Sequence, residues 1–125
     1  MTYERGPYYV LEAAWDRDNR WQADEFLVGL ESSRSKSGLR RLADIVLRFE
    51  EFATTGHLEI PRELNFLRGD VWEVKIGTDR LPFYYGNDGD VATVRMTHGF
   101  VKRTDKTPRR EIDKAEAIAR IDQAK

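Results

Sequence analysis

The sequence predicts a single α+β domain over residues 1–125, with an N-terminal strand and two helices preceding a three-stranded antiparallel meander and a C-terminal helix. Three features carry that prediction. Leu39, Leu42, Ile45, Val46, Phe49 and Phe52 form a broad apolar stripe at helical spacing. Two successive turn signals punctuate alternating residues between Val71 and Thr97, and Thr107-Pro108 opens a last run of helical spacing.

Taken in order, Tyr8 to Trp15 alternates as a strand, with Tyr9, Leu11, Ala13 and Trp15 on one side. Asn19 followed three residues later by Gln22 reads as a capping box, and Ala23, Phe26, Leu27 and Leu30 then repeat as a first helix. The polar stretch from Glu31 to Gly38 interrupts the pattern before the long stripe of the second helix, which Gly56 ends. Pro61 belongs to a connection leading to Arg68-Gly69-Asp70.

In the meander, Trp72, Val74 and Ile76 alternate with Val71, Glu73 and Lys75. A two-residue turn at Gly77-Thr78, glycine first as a type II′ turn requires, sets Ile76 opposite Asp79, Lys75 opposite Arg80, Val74 opposite Leu81 and Trp72 opposite Phe83. A second turn at Asp88-Gly89 pairs Asn87 with Asp90, Tyr85 with Ala92, Phe83 with Val94, Leu81 with Met96 and Arg80 with Thr97. Both hairpins agree on one apolar face. The other face then carries Glu73, Lys75, Arg80, Tyr84, Thr93, Arg95 and Thr97, because a slip of one residue would turn each apolar set around. Lys75 and Arg80 are a like-charged pair that costs a few tenths of a kcal/mol, on the order of 0.3, and so invites an anion. Beyond the basic run Lys102 to Lys106, Thr107 caps a helix with Pro108 at its first position, and Ile112, Ala115, Ile118 and Ala119 pack it on the sheet.

Composition narrows the function. With 40% hydrophobic and 34% charged residues the chain has both a core and an ionised surface. Without cysteine there is no disulfide, zinc ribbon or thiol nucleophile, and His57 and His98 are the only imidazoles, so a metal site and a cofactor are not expected. No apolar run suits a bilayer and Met1 to Tyr9 is not a secretory signal, so a cytoplasmic location is expected. The net charge of -1 hides a polarity: six acids against Arg17 and Arg20 over residues 11–33, and six bases against Asp105 between Arg95 and Arg110. The basic end is the candidate binding face.

With the residues arranged in this way, the chain resembles the RelE/ParE toxin superfamily of type II toxin-antitoxin systems, and within it the phage-derived HigB-like branch. The resemblance rests on Arg68-Gly69-Asp70-Val71-Trp72-Glu73-Val74-Lys75, on Arg80 opening a strand, and most of all on the block from His98 to Pro108, followed by the Glu111-Ile112 helix. It implies a RelE-like fold and a ribosome-dependent mRNA endoribonuclease that uses no metal and inhibits translation. A helix-turn-helix antitoxin would be its partner. By the same resemblance Lys75 and Arg80 would hold the scissile phosphate, and Lys102, Arg103 and Lys106 would contact RNA; Arg95, on the same sheet face by register, is a further candidate RNA contact.

The family's tyrosine or histidine near the C-terminus has no counterpart between Asp105 and Lys125, which leaves Tyr84 and His98 as candidate proton carriers. Strict alternation puts His98 in phase with Val94 and Met96, on the apolar side, unless Gly99 introduces a bulge. The competing class is a binding protein on the same fold, either a DNA gyrase inhibitor or a degenerate member that only binds a phage or antitoxin partner.

Overall fold

The computed structural model describes all 125 residues, Met1–Lys125. Its elements are β1 (Thr2–Arg5), β2 (Val10–Ala13), α1 (Gln22–Ser32), α2 (Lys36–Thr55), β3 (Leu64–Arg68), β4 (Val71–Ile76), β5 (Asp79–Asp88), β6 (Val91–Met96), β7 (Phe100–Val101) and α3 (Arg109–Gln123). The strands form one seven-stranded mixed sheet in the order β1-β2-β6-β5-β4-β3, with β7 also beside β5. The expected sheet, a three-stranded meander after one N-terminal strand and two helices, is therefore corrected. β4, β5 and β6 are only its centre, and β2 lies parallel to β6 while the other pairs are antiparallel. The unforeseen β1 and β3 are short outer strands, each with a register irregularity that blurs the alternation by which a strand is read.

The β4–β5 register agrees with the turn argument pair for pair, from Ile76 opposite Asp79 to Trp72 opposite Phe83. Gly77 takes φ +58° at the first turn position, a conformation that costs a residue with a Cβ. The second hairpin differs by two residues: Asp88 pairs with Val91, Tyr85 with Val94 and Phe83 with Met96. Here Gly89, φ +63°, also takes the first turn position, so the turn is Gly89-Asp90 and not Asp88-Gly89. A shift of two leaves every side chain on its expected face.

α1 and α2 pack on the face that carries Val74, Leu81, Phe83, Val94 and Met96, joining Leu27, Leu30, Ile45, Phe49 and Phe52 in one core. Each large apolar side chain buried there contributes roughly 1.5–3 kcal/mol. Within the predicted stripe Leu39 and Val46 remain exposed, because the helix turns only one narrower sector inward. α2 starts at Ser35, whose hydroxyl accepts the Gly38 N–H at 2.9 Å, and ends at Gly56 with φ +69°. The Asn19 capping box does not form. Asn19 sits at φ +58°, while the Asp16 carboxylate accepts the N–H groups of Asp18 and Arg20 and the Gln22 side-chain amide at 2.8–2.9 Å.

α3 covers part of the opposite face, where Ile118 and Ala119 pack with Ala14 and Tyr84. Arg68 of β3 ties it down through Asp113 and Glu116. Thr107 does not cap this helix: Pro108 occupies the cap position, and the Thr107 hydroxyl donates instead to the Glu73 carboxylate. No helix is long and apolar enough to cross a membrane.

Candidate nucleic-acid interface

Two basic side chains stand opposite each other at the turn end of the β4–β5 hairpin. Arg80 is only 7% exposed. Its Nη1 donates to the carbonyls of Gly77 at 2.6 Å and Asp79 at 3.0 Å, its Nε–H has no partner, and it makes no ion pair with a carboxylate. Burial holds the guanidinium below the usual arginine range, while Glu73 and Asp79 act the other way. Across the strand pair, the Lys75 Nζ donates to the Pro61 carbonyl at 3.0 Å. Partial burial and the charges of Arg80 and Lys102 lower the Lys75 pKa from its ordinary value.

Arg48 of α2 enters the same place by donating to the Lys75 carbonyl at 2.8 Å, with Glu63 at 3.3 Å. The result is a cleft of about 330 Å³ lined by Arg48, Arg62, Glu63, Lys75, Gly77 and Arg80, with no apolar residue. A second cleft of about 300 Å³ shares Lys75 and adds Lys102, Lys106, Thr107 and Asn65. Lys75 thus borders both. Arg48 and Arg62 were missed in the sequence because a basic residue on the outer side of an amphipathic helix, or after a loop proline, looks like any solvated charge.

The segment carrying Lys102, Arg103 and Lys106 is fastened at both ends. The Lys102 N–H donates to the Thr78 carbonyl at 2.8 Å, and the Thr107 hydroxyl reaches both Glu73 oxygens at 2.9 and 3.0 Å. Arg103 and Lys106 are exposed between these points. The structure brings Lys75, Arg80, Lys102 and Lys106 to one region.

Tyr84 and Arg95 lie elsewhere, under the end of α3. The Tyr84 hydroxyl donates to Asp122, and Arg95 holds the same carboxylate through two N–H groups at 2.6 and 2.8 Å while also pairing with Glu12 at 2.8 Å. The Trp15 N–H adds a further donor to Asp122 at 2.9 Å. Burial raises the Asp122 pKa, but these hydrogen bonds outweigh it and leave the carboxyl below its ordinary value. Burial and Asp122 together push the Tyr84 phenol up, so it stays protonated. The expected position of both residues on one open face with Lys75 and Arg80 is thereby corrected, because α3 divides that face and Asp122 neutralises its basic part.

His98 is 1% exposed. Between Phe83 opposite Met96 and Arg80 opposite Phe100, three steps along β5 answer four along the other strand, so one extra residue turns the His98 ring away from Val94 and Met96 toward α3. Gly99 permits this bend, since a Cβ there would lie 2.4 Å from the Phe26 ring. Nδ1 is 3.0 Å from the Thr97 hydroxyl and Nε2 is 3.3 Å from Glu111. A hydrogen on Nε2 satisfies both contacts. Burial, with a contribution from Lys114, lowers the pKa to about 3, so the contact with Glu111 is that of a neutral ring. The strict-alternation placement on the apolar side is thus corrected by the bend at Gly99, yet the imidazole lies buried beneath the start of α3 and lines neither basic cleft.

Residues 35–120 match the family model described as Phage derived protein Gp49-like (DUF891). The match covers more than half of the chain, which therefore belongs to this family of phage-derived proteins. It includes Arg48, Arg62, Lys75, Arg80, Lys102 and Lys106, whereas Glu12 and Asp122, the partners of Arg95, lie outside it. No curated protein matches the chain.

Proposed function

From membership in the Gp49-like family, we propose that the chain is the toxin of a type II toxin-antitoxin system, a relative of RelE and HigB that cleaves mRNA on the ribosome without a metal. The observation that carries this reading is the cleft shared by Lys75 and Arg80, where a buried guanidinium without a carboxylate partner stands across from the partly buried Lys75 amine. A phosphodiester seated there meets the preorganised positive charge of the Arg80 guanidinium, and such charge usually does more than any other effect to stabilise a crowded phosphate. The ribose 2′-oxygen attacks the neighbouring phosphorus, the 5′-oxygen leaves and takes up a proton from solvent, and a 2′,3′-cyclic phosphate remains. Lys75 in its neutral form takes the 2′-hydroxyl proton, a role favoured by its lowered pKa and by the engagement of Tyr84 and His98 elsewhere.

The test is to add purified protein to translating ribosomes and map the message ends. Cleavage with cyclic phosphate termini, lost when Lys75 and Arg80 are both replaced by Ala, is the expected result. Intact message overturns the reading. A helix-turn-helix antitoxin is the proposed partner, and a small reading frame of that kind beside the gene is expected.

A second reading has its own observation. Because both predicted proton carriers are buried in structural contacts, a protein that only binds, as a gyrase inhibitor or a degenerate member does, also fits. Growth arrest on expression with intact mRNA and a DNA-damage response would favour it.

A further inference from the structure

Glu73 is an unusual occupant of a basic sheet face. It is 1% exposed, yet it makes no ion pair within 4 Å. Its donors are the neutral Asn65 amide at 3.1 Å and the Thr107 hydroxyl, while the charges of Lys75 and Arg80 lie near enough to interact with it. A buried carboxylate is costly unless hydrogen bonds replace its water, and an apolar residue at this strand position would avoid the cost altogether.

What the carboxylate holds explains its place. Thr107 closes the basic segment that begins at Lys102, and Lys102 is itself fastened to the β4–β5 turn at Thr78. Both anchors belong to the hairpin that carries Lys75 and Arg80. The segment is a strap over the cleft shared by Lys75, Lys102 and Lys106, and Glu73 is its second fastening. With Thr107 released, the residues from Lys102 to Lys106 would keep the Thr78 contact at one end and the start of α3 at Arg109 at the other, and would lose the fastening between them that sets them against the hairpin.

We propose that Glu73 is a positioning residue that, by accepting the Thr107 hydroxyl, fixes the Lys102–Thr107 strap so that Lys102 and Lys106 meet the same RNA strand as Lys75. This rests on the reading of the site as an mRNA nuclease. The carboxylate touches no substrate; it acts through the strap, and its charge also offsets the repulsion between Lys75 and its basic neighbours.

Two measurements on the purified protein test this separately from the nuclease reading. The first is amide hydrogen exchange, which reports local opening. In Thr107→Val, close in shape but without the hydroxyl, the amides of residues 103–106 should exchange about tenfold faster, with the rest of the sheet unchanged. Thr107→Ser should restore them, and Glu73→Gln, which keeps one acceptor oxygen, should fall between. Unchanged exchange in Thr107→Val overturns the proposal whatever the protein does to mRNA.

The second is message cleavage on programmed ribosomes as a function of protein concentration. Thr107→Val should raise the half-saturating concentration about tenfold and flatten its salt dependence, with the rate at saturation kept within about threefold, and Thr107→Ser should recover the wild-type curve. A loss confined to the saturating rate, or no rescue by serine, also overturns it. Wild-type protein that leaves the message intact removes the nuclease reading and the RNA half of the proposal, while the exchange data still decide whether Glu73 fastens the strap.

Discussion

Lys75 and Arg80 face each other directly across β4 and β5, one pair in from the Gly77-Thr78 turn, and differ in how they are held. Arg80 is pinned by backbone carbonyls, whereas Lys75 rests on one exposed carbonyl contact. Their separate loss should therefore read differently. Arg80→Ala should lower the saturating cleavage rate about 10²- to 10³-fold, the usual effect of removing one preorganised donor, and Arg80→Lys should not restore it because an ammonium cannot reproduce the fork. Lys75→Ala should lower the rate about 10²- to 10⁴-fold and remove the alkaline rise of the pH–rate profile, as expected for a group that exchanges a proton. Single-turnover cleavage across neutral and alkaline pH checks both. A Lys75→Ala profile parallel to wild type would mean that the lysine only binds phosphate.

Tyr84 belongs to the scaffold, since its hydroxyl is spent on Asp122. Tyr84→Phe removes a hydrogen bond to a buried carboxylate and should cost about 1.5–3 kcal/mol in urea unfolding, with message cleavage retained. Asp122→Ala should cost more, about 3–5 kcal/mol, since it strands Arg95 beside Glu12 alone. The Asp122 carboxyl titrates lower in the folded chain than in the unfolded one, so its stabilisation is complete above the unfolded pKa and disappears as pH falls through the folded value. That loss belongs below about pH 4, where an unfolded aspartate takes up its proton.

His98 acts at milder acidity. Its pKa is about 3 when folded, against the ordinary 6.5 of an imidazole, so between these values the unfolded state binds the extra proton. Stability should be flat above about pH 6.5 and fall as pH drops, at about 1.4 kcal/mol per unit from this one group. Replacing His98 with Gln should flatten the curve between about pH 6.5 and about pH 4.5, ahead of the carboxylate transition. An unaltered slope in urea titrations would show that the ring is protonated in the folded chain.

How far these relationships were legible depends on how local they are. The Lys75–Arg80 pairing was readable because a glycine-led two-residue turn and alternating apolar residues specify the same register. The second hairpin slipped by two because Asp88-Gly89 and Gly89-Asp90 are both acceptable turns with the same face assignment. Asp122 could not be placed from sequence: it meets Tyr84 and Arg95 only because α3 folds back over the sheet, and nothing in its helical spacing names a partner 27 or 38 residues away. Thr107-Pro108 looks like a helix start, and the competing acceptor that captures the hydroxyl, Glu73, lies 34 residues earlier. Alternation alone put His98 on the apolar side, and Gly99 held the exception because its missing Cβ lets Phe26 of α1 close against the bend.

That bend can be tested by filling the space it leaves. In Gly99→Ala the new methyl would meet the Phe26 ring at 2.4 Å, a separation real Cβ atoms essentially never show, so either the ring or the strand must move. Overpacking of this kind costs about 1–3 kcal/mol, and the strand is the part that also carries His98 and Phe100. Loss of stability should therefore be accompanied by a rise in the His98 pKa from about 3 toward 6.5, as the ring loses its enclosure beneath α3. Following the imidazole resonances by NMR across that range reads this directly. Phe26→Ala in the same chain should return much of the lost stability relative to Phe26→Ala alone, because the clash partner is gone. If the Gly99→Ala penalty is the same with and without the Phe26 ring, the glycine is required for its backbone and not for the space it leaves.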